Sequence, residues 1–318
     1  MNYHTKAKPY NSLNEYNKIK YGAKIAKIPL NLNFSCPNKD GKKGVGGCIY
    51  CSKLSSGDIQ PDVTLDIKTQ FNNLVKLQIN KWKDIKLMAY LQAGSNTYAN
   101  PKYLKELYDE VLRLDDDLFG ISIATRADCL SNDVIEILDN LNKKTHLQVE
   151  LGFQTANEAT SKYINRCLTN SEFIAGVNRL REKDIEVIVH IINGLPGEGK
   201  DDMLNTIKFL NKLDIQGIKI HSLLILPDTL LYEEYQKSPF KLLSLEEYAE
   251  ITALEIANLK DSIIIHRLAA DAPNGKYLPL WPKKKMVVMN EIDKYMRNHN
   301  LYQGMFYKKG AVKKLTIS

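Results

Sequence analysis

Residues 28–51 read IPLNLNFSCPNKDGKKGVGGCIYC, an apolar run followed by a glycine- and lysine-rich loop that carries three cysteines. The run Ile28–Phe34 has the apolar pattern of a buried strand, bounded on its far side by a turn-forming segment. The loop holds Cys36, Cys48 and Cys51, which gives the spacing C-x11-C-x2-C. A strand that ends in such a loop predicts a metal-binding group at one end of a sheet.

Apolar runs of this kind recur along the chain and alternate with segments of helical periodicity. The later predicted strands are Lys86–Gln92, Gly120–Thr125, Leu147–Phe153, Glu186–Asn193, Gly217–Leu224 and Ile263–His266. The predicted helices lie near 64–80, 101–113, 132–142, 170–182, 201–213, 245–258 and 285–298, the last followed by a short strand-like piece. Two helices begin with capping boxes, Thr169 with Glu172 and Ser244 with Glu247.

Strands that alternate with helices predict crossover units and a parallel sheet. Right-handed connections wind such a sheet, and six or more units favour an α/β fold built as a full or partial (βα) barrel. Functional groups are then expected in the loops after the C-terminal strand ends. We expect three parts: a basic N-terminal extension over 1–24, the barrel core over 25–270, and a basic C-terminal extension over 271–318 packed on the barrel.

Composition narrows the class of protein. Hydrophobic residues make up 44% of the 318 residues and charged residues 25%, which is ordinary for a globular protein and excludes collagen, coiled coil and disorder. No apolar run approaches the ~18 residues that indicate a membrane span, and the first residues lack an apolar signal core. The five cysteines, an odd number in a long chain, argue against a secreted disulfide framework. We therefore expect a cytoplasmic protein without a membrane partner.

The charge is concentrated at the two ends of the chain. Residues 1–43 hold nine lysines and two acids, a balance of +7, and residues 276–318 hold ten Lys or Arg and two acids, a balance of +8. Since the net charge is +7, the middle carries −8. Basic ends around an acidic body are consistent with nucleic-acid binding, and equally with lysine-rich ends that are simply solvated.

The three cysteines point to a particular kind of metal site. A closed structural zinc site takes four ligands, whereas this loop offers one CxxC knuckle and one lone cysteine. A [4Fe–4S] cluster usually takes four cysteines, so three would leave one iron open to a substrate or cofactor. The alternative is three unconnected cysteines, which the strand, the glycines and the CxxC disfavour.

With this loop, the chain resembles the radical S-adenosylmethionine (SAM) superfamily, and most of all its YhcC/MnmL (YtqA) family, near the Elongator catalytic-subunit branch. The usual first spacing is shorter, and an aromatic residue before the last cysteine, here Tyr50, is typical. The resemblance continues through most of the chain, in motifs at or near predicted strand ends: YLQAGSNTYA (90–99), ATRAD (124–128), VELGFQT (149–155), INR (164–166), VHIINGLPGE (189–198), IHRL (265–268) and DAP (271–273).

The resemblance implies roles for individual residues. Cys36, Cys48 and Cys51 would ligate three irons of a [4Fe–4S] cluster, and SAM would bind the fourth. Gln92, Ala93 and Gly94 stand where the family receives the SAM amino group, and Thr125 and Arg126 lie near its methionyl end. The other implied SAM contacts are Gln154, Arg166 for the carboxylate, His190 for the ribose, and Asn193 within 192–194 for the adenine.

Each implied contact has a structural alternative. Arg126 and Arg166 could form ordinary ion pairs, Gln154 could be a polar residue at the barrel mouth, and His190 could be a satisfied core histidine. The chain also departs from the related pattern, since Ala124 and Ala127 replace an acid and a proline, and Cys167 replaces a glycine. Cys129 and Cys167 are expected to be packing residues, because free cysteine behaves as a small hydrophobe.

One motif resembles a nucleotide-binding loop. Residues 194–201, GLPGEGKD, nearly match G-x4-G-K-[ST] between a strand and a helix. The pattern requires a hydroxyl for Mg²⁺ at its last position, where this chain has Asp201. Pro196 also removes one N–H from the phosphate cradle. We therefore disfavour a nucleoside triphosphatase.

The resemblance implies reductive cleavage of SAM to a 5′-deoxyadenosyl radical, with a donor such as flavodoxin or ferredoxin. It further implies a tRNA partner, contacted at its anticodon loop. There, 5-carboxymethylaminomethyl-(2-thio)uridine at the wobble position would become 5-aminomethyl-(2-thio)uridine. Aromatic residues among the tail lysines could stack on loop bases; they are Tyr277, Trp281, Tyr302, Phe306 and Tyr307. The alternatives are a radical SAM enzyme acting on a small molecule and a non-catalytic, metal-bound RNA-binding module.

Overall fold

The computed structural model describes residues 3–5, 7–52, 61–79, 84–270 and 276–307. Within these residues, seven strands form one parallel sheet in which each strand pairs with the next along the chain. The strands are β1 (Lys24–Leu30), β2 (Ile85–Leu91), β3 (Gly120–Thr125), β4 (His146–Gln154), β5 (Glu186–Asn193), β6 (Gly217–Ser222) and β7 (Ile264–Arg267). The prediction of a partial (βα) barrel is confirmed.

Helices connect the strands and cover the outside of the sheet. They are α1 (Leu13–Tyr21), α2 (Ile67–Ile79), α3 (Pro101–Leu112), α4 (Asn132–Asn142), α5 (Glu158–Tyr163), α6 (Asn170–Arg181), α7 (Lys200–Leu210), α8 (Leu230–Lys237), α9 (Leu245–Asn258) and α10 (Lys285–Asn298), with a 3-10 turn at Trp281–Lys283. Both predicted capping boxes are present, at the starts of α6 and α9. Within the described residues, no helix is long and apolar enough to cross a membrane.

The two faces of the sheet differ sharply in polarity. Ile121, Ile123, Val149 and Leu151 are fully buried in the apolar core that the helices cover. The residues between them face the other way, and Glu150 accepts hydrogen bonds from side chains of β1, β2, β3, β5 and β6. Donors from β1 and β6 can reach one carboxylate on β4 only if the sheet curls, so the inner face encloses a polar lumen.

The helix α1 was not predicted from the sequence, and it covers the end of the lumen where the strands begin. The Tyr21 ring lies 4.8 Å from that of Phe119 and 5.8 Å from that of His146, both at strand starts. Lys20 Nζ is 3.8 Å from Glu186 Oε1, at the start of β5. The lumen is therefore approached from the carboxyl ends of the strands, the end we call the mouth.

The first strand is shifted from its prediction. It spans Lys24–Leu30 rather than 28–34. Asn31 and Asn33 end it, because the Asn31 side chain accepts the Asn33 N–H at 3.1 Å in a local turn and Asn33 has a φ of 55°. The sequence also missed the short helices α5 and α8. The strand-like piece predicted after the helix at 285–298 is not seen in the described residues 299–307, which form turns, and the DAP motif at 271–273 lies outside the described residues.

The two ends of the chain pack against each other. The Tyr10 hydroxyl donates to Asp293 Oδ1 at 3.0 Å, and the backbone N–H of Asn11 donates to Gln303 Oε1 at 2.8 Å. Before α10, the Trp281 indole N–H donates to the Leu243 carbonyl at 2.8 Å. The start of α10 is thus tied to the loops at the mouth, while the segment after it lies with the N-terminal segment.

Candidate cluster and cofactor site

The three cysteines predicted as cluster ligands share one compact loop at the mouth, directly after β1. The Cys51 N–H donates to the Cys48 carbonyl at 2.9 Å, and the Lys39 N–H donates to the Cys36 carbonyl at 2.7 Å. Gly46 and Gly47 have φ of 79° and 83°, in the left-handed region that glycine adopts without strain. The loop turns back on itself here, which brings the CxxC knuckle to Cys36.

The thiols are close enough to affect one another. Burial raises the pKa of Cys48, and the charge of Cys36 raises it further. Burial also raises the pKa of Cys51 to about 11, with the charge of Cys48 adding to the effect. Metal ions bind cysteines as thiolates and displace their protons. The positive charge of a bound cluster would therefore offset the mutual repulsion of the three thiolates. This donor set fits three irons of a [4Fe–4S] cluster.

A single metal ion would need a tighter arrangement. Among the described residues, no three His, Cys, Asp or Glu side chains converge closely enough to hold one ion. Each cysteine of an iron–sulfur cluster binds a different iron, so its ligands do not meet at a point.

The cysteine loop is held by the segment that follows α5. Asn38 is fully buried and its Nδ2 donates to the Asn165 carbonyl at 2.5 Å. In return, Asn165 Nδ2 donates to the Gly47 carbonyl at 2.8 Å, and the Ile49 N–H donates to the Ile164 carbonyl at 3.1 Å. Sequence reasoning did not single out Asn38 or Asn165 as site residues, because these contacts join segments more than a hundred residues apart.

Tyr50 lies half-buried between two predicted ligands. Burial raises its pKa well above the usual range, and the charges of Cys48 and Cys51 add to the rise. The phenol therefore stays protonated beside the thiols. It can shield one side of a cluster from water and donate a hydrogen bond to a sulfur.

Arg126 follows β3 and faces the cysteine loop. It forms a two-pronged ion pair with Asp128, with Nε and Nη2 each 2.9 Å from a carboxylate oxygen. It also donates to the carbonyls of Arg166 and Cys167, at 2.9 and 3.1 Å. The positive charge of Arg126 interacts favourably with thiolates at Cys36 and Cys48. Arg126 therefore forms the ion pair expected of a structural residue, and it also lies beside the cysteine loop.

Arg166 is arranged differently from its prediction as a ligand for the SAM carboxylate. It is 1% exposed, and its guanidinium donates to the carbonyls of Phe153, Thr155 and Leu168 and to the Asn170 side chain. These contacts use all five N–H groups of the guanidinium. In the described arrangement, Arg166 is a clamp on backbone carbonyls and offers no donor to a ligand.

The loop after β2 is shaped by close backbone contact. Gly94 has a φ of 73°, and a Cβ there would lie 2.1 Å from the Phe34 carbonyl oxygen. Only glycine fits, so Gln92, Ala93 and Gly94 stand directly beside the start of the cysteine loop. Asn96, which sequence reasoning left without a role, donates from Nδ2 to the carbonyls of Leu91, Ala93 and Ala124 at 2.9–3.2 Å.

Thr125 is buried and connects two loops of the mouth. Its hydroxyl lies 2.6 Å from that of Thr97, which also donates to the Cys129 carbonyl at 2.7 Å. Cys129 is 8% exposed, as expected for a packing residue. Thr125 thereby fixes the loop after β2 to the loop after β3.

Gln154 ends β4 in a conformation that L-residues rarely adopt, with a φ of 64°. The register between β4 and β5 slips between Gly152 and Gln154, so a bulge turns the Gln154 side chain. Strained residues and bulges of this kind are frequent beside active sites. This geometry is consistent with the predicted role of Gln154 in binding SAM.

Asn193 lies at the end of β5 and is 2% exposed. Its Nδ2 donates to Glu255 Oε2 at 2.6 Å, and its carbonyl accepts the Leu223 N–H at 2.9 Å. The Asn193 side chain is thus hydrogen-bonded to α9. The turn at Gly194 follows, with a φ of 87°. Burial raises the pKa of Glu255 to about 8, so this carboxyl group is largely protonated at neutral pH.

His190 lies within β5, three residues before the strand ends at the mouth. Its Nε2 is 2.6 Å from Glu150 Oε2. Burial, together with the nearby charge of Lys219, lowers the pKa of His190 to about 4, so its ring is neutral. Glu150 belongs to the motif at 149–155, but no role was predicted for it. No role was predicted for Lys27 or Lys219 either.

The segment 194–201, which nearly matches a nucleotide-binding loop, contacts other side chains of the protein. Lys200 Nζ is 2.5 Å from Glu250 Oε1, and Glu198 Oε1 accepts the Thr155 hydroxyl at 2.5 Å. The lysine that would hold phosphates is therefore turned to a neighbouring helix.

Comparison with known proteins agrees with this architecture. The chain is 41% identical over 308 residues to the uncharacterized protein YtqA of Bacillus subtilis, covering 96% of this chain and 95% of that protein. It is 30% identical over 284 residues to protein YhcC of Escherichia coli K12, covering 89% and 90%. A shorter match, 29% identical over 140 residues, is to the tRNA-2-methylthio-N(6)-dimethylallyladenosine synthase of Syntrophus aciditrophicus, covering 42% of this chain and 30% of that protein.

Among solved structures, the archaeal Methanocaldococcus infernus Elp3 superimposes with a TM-score of 0.63 at 16% identity, covering 88% of this chain and 64% of that one. That likeness concerns the fold. Residues 41–210 match the Radical SAM superfamily and residues 215–298 match the Radical_SAM C-terminal domain. With the cysteine loop at the mouth of a parallel half-barrel, these matches establish that the chain belongs to the radical SAM superfamily.

Proposed function

We propose that this radical SAM enzyme acts on the C5 side arm of the wobble uridine in tRNA. The reaction would convert 5-carboxymethylaminomethyl-(2-thio)uridine to 5-aminomethyl-(2-thio)uridine. Loss of a hydrogen atom and then of one electron, returned to the cluster, would turn the N–CH₂ group of the side arm into an imine, and water would then break the carbon–nitrogen bond and release the arm as glyoxylate. When bound, the [4Fe–4S] cluster and SAM supply a carbon radical that can take a hydrogen atom from a C–H bond. A C–H bond between an amine nitrogen and a carboxylate suits this chemistry, because both groups stabilise the resulting carbon radical.

The protein's own residues would prepare the site for that chemistry. Cys36, Cys48 and Cys51 would hold the cluster, with Tyr50 shielding it. Gly94, after β2, and Gln154, at the end of β4, would orient SAM. The closed end of the barrel, covered by α1, would keep bulk water from the reacting atoms.

The observation that carries the proposal is a polar, cation-bearing lumen that opens at a mouth with lysines on two sides. Lys42 lies on the cysteine loop beside Lys43, whose Nζ pairs with Glu172 Oε1 at 2.7 Å. Lys283 and Lys284 follow the segment that Trp281 ties to the mouth. These lysines could contact phosphates on either side of a splayed anticodon loop.

Other basic and aromatic residues of the two ends are less suited to this role. Lys18 and Lys20 belong to α1 at the closed end. Trp281 packs on Tyr248 with ring centroids 5.0 Å apart, and Tyr277 is 5% exposed. The exposed Tyr302 and Phe306 lie in the segment that packs with the N-terminus. Stacking on tail aromatics is therefore not part of the proposal.

The partial likeness to a tRNA-2-methylthio-N(6)-dimethylallyladenosine synthase supports an RNA substrate. The proposed partners are accordingly tRNA and a small electron-donor protein.

Two measurements test the proposal. In tRNA from a deletion strain, nucleoside mass spectrometry should show accumulation of the carboxymethylaminomethyl form. In vitro, such tRNA with the reconstituted enzyme, SAM and a reductant should yield aminomethyluridine and 5′-deoxyadenosine together. If the deletion strain shows no accumulation, the substrate is a small molecule instead.

The binding of tRNA can be tested separately by removing positive charges near the mouth. Replacing Lys283, Lys284 and Lys285 with Ala should weaken tRNA binding and reduce the salt dependence by about one unit of slope per lost phosphate contact. A matched control replaces Lys18, Lys208 and Lys212, three exposed lysines away from the mouth, and should leave the slope unchanged. Equal effects of both triple variants would contradict a specific contact at the mouth.

A further inference from the structure

Asn38 joins the cysteine loop to the segment after α5 and also contacts one of the predicted cluster ligands. Its side chain is fully buried, and its Nδ2 donates to the Asn165 carbonyl at 2.5 Å. The same nitrogen lies 3.5 Å from the Cys48 sulfur. A side-chain amide nitrogen carries two N–H groups, so one can donate to each of these acceptors.

The surroundings of Asn38 fix the orientation of its amide. The Asn165 carbonyl can only accept a hydrogen bond, so the nitrogen of the amide faces it and not the oxygen. The second N–H of that nitrogen is then left for Cys48. Among the described residues, Asn38 Oδ1 is buried without a hydrogen-bond partner. A buried unpaired acceptor is uncommon in a native protein, and a redox role of the side chain is one of the reasons for which it is retained.

The backbone around Asn38 keeps Cys48 within reach of the amide. The Asn38 carbonyl accepts the N–H of Gly47, the residue before Cys48, at 2.8 Å. Gly44 leaves room for the amide, since a Cβ there would lie 2.2 Å from Asn38 Oδ1. Backbone and side chain of Asn38 thus both bind the segment that carries Cys48, which holds the N–H and the sulfur together.

The groups around Cys48 favour negative charge on its sulfur. Burial raises the pKa of Cys48, while the charge of Arg126 and hydrogen bonds from Tyr50 and Asn38 act in the opposite direction. In a site that is poorly solvated, such donors replace the water that would otherwise stabilise the charge.

We propose that Asn38 raises the reduction potential of the bound cluster through its hydrogen bond to the Cys48 sulfur. A reduced cluster carries one more negative charge than an oxidised one, and part of that charge lies on the cysteine sulfurs. A donor at a sulfur therefore stabilises the reduced form more, and hydrogen bonds to sulfur are among the features that set cluster potentials. Asn38 acts through Cys48 and is a positioning residue. The proposal rests on Cys48 as a cluster ligand and not on the tRNA substrate.

The test is a redox titration of the reconstituted protein without SAM, followed by the EPR signal of the reduced cluster. Asn38→Leu keeps the approximate size of the side chain and removes both N–H groups. We expect a midpoint potential about 59 mV more negative, which corresponds to an about tenfold lower ratio of reduced to oxidised cluster at a fixed potential.

Asn165→Gly is the matched control for a purely structural role of Asn38. It removes the Asn165 side chain, whose Nδ2 donates to the Gly47 carbonyl at 2.8 Å, and so loosens the same two segments. It keeps the backbone carbonyl that orients Asn38, and glycine suits the φ of 54° at this position. Water that enters a loosened loop favours the more highly charged, reduced cluster. The potential of the control should therefore be unchanged or higher, opposite to the shift in Asn38→Leu.

A potential in Asn38→Leu that equals or exceeds that of the wild type would overturn the proposal, and so would an equal fall in Asn165→Gly. If Asn38→Leu binds no cluster, a measurement on the wild type decides. With asparagine labelled with ¹⁵N at the side-chain amide, pulsed EPR of the reduced cluster should show a weak ¹⁵N coupling that Asn165→Gly retains. The absence of this coupling would show that no such hydrogen bond reaches the cluster.

Failure of the ligand assignment has a different signature. A cluster that survives in Cys48→Ala would refute Cys48 as a ligand and the role of Asn38 with it. Cluster loss in Cys48→Ala, together with the lower potential in Asn38→Leu, would support both.

Discussion

A Cβ placed on Gly152 would lie 2.7 Å from Gln154 Nε2, so the glycine leaves the space that the glutamine amide occupies. We expect Gly152→Ala to displace that amide and to weaken SAM binding by about 1 kcal/mol, the net value of one hydrogen bond. Equilibrium binding of SAM to the reconstituted enzyme measures the loss. Gln154→Ala should cost about the same, and the double variant no more. Normal affinity in Gly152→Ala with a loss in Gln154→Ala would show that the amide has another position available.

The cysteine loop predicts one outcome for its own three cysteines and another for Cys129. After anaerobic reconstitution, wild type should bind about four irons per chain, as a [4Fe–4S] cluster requires. Cys36→Ala, Cys48→Ala and Cys51→Ala should each lose the cluster and SAM cleavage. Cys129→Ala, a buried residue outside the loop, should retain both. Iron and sulfide analysis with the visible absorption spectrum distinguishes these outcomes, and cluster loss in Cys129→Ala would refute the ligand assignment.

Arg166 should matter for stability. Arg166→Ala removes charged hydrogen bonds to the carbonyls of Phe153, Thr155 and Leu168, each worth about 1.5–3 kcal/mol, and leaves the Thr155 carbonyl without its donor. We expect a loss of about 3 kcal/mol or more in the free energy of unfolding, measured by urea denaturation. Arg179→Ala, which removes a partly buried guanidinium from the Leu130 carbonyl, serves as a comparison and should cost less. Normal stability with weakened SAM binding would return Arg166 to the cofactor site.

Cys167 occupies a position that suits glycine, since its φ is 50°. The left-handed conformation costs an L-residue roughly 1–2 kcal/mol, whereas glycine adds roughly 0.5–1 kcal/mol of unfolded-state entropy. Cys167→Gly should therefore raise the free energy of unfolding by about 0.5 kcal/mol, and Cys167→Ala should not. Chemical denaturation of the reduced proteins checks this. Destabilisation by the glycine would show that the thiol contributes more through its contacts than the backbone loses through strain.

Glu255 predicts a dependence of stability on pH. Burial raises its pKa from 4.5 to about 8, so the folded protein retains a proton that the unfolded chain releases. This contribution is complete below about pH 4.5 and is lost as the pH rises towards 8. Between pH 5 and pH 8, wild type should lose about 3 kcal/mol relative to Glu255→Gln, which carries no titrating proton. Parallel pH profiles of the two proteins would show that Glu255 is ionised when folded.

Local patterns were sufficient for much of the architecture. The strand β3 lies where its apolar run predicts, and the capping boxes at Thr169 and Ser244 begin α6 and α9. The spacing from Cys36 to Cys51 also predicted the compact cysteine loop that follows β1. Each of these features depends on residues within one element or one turn, where side-chain periodicity and backbone hydrogen bonding act directly.

Contacts between distant segments required the tertiary structure. Lys27 and Lys219 meet at Glu150 from strands far apart in the chain, and only the curl of the sheet brings their charges together. The family resemblance implied a role for Arg166 in SAM binding. Its hydrogen-bond partners are instead backbone carbonyls, whose positions follow from the packing of the loop after β4. Neither charge pairing nor carbonyl direction has a local sequence pattern, because both depend on which groups the folded chain shields from water.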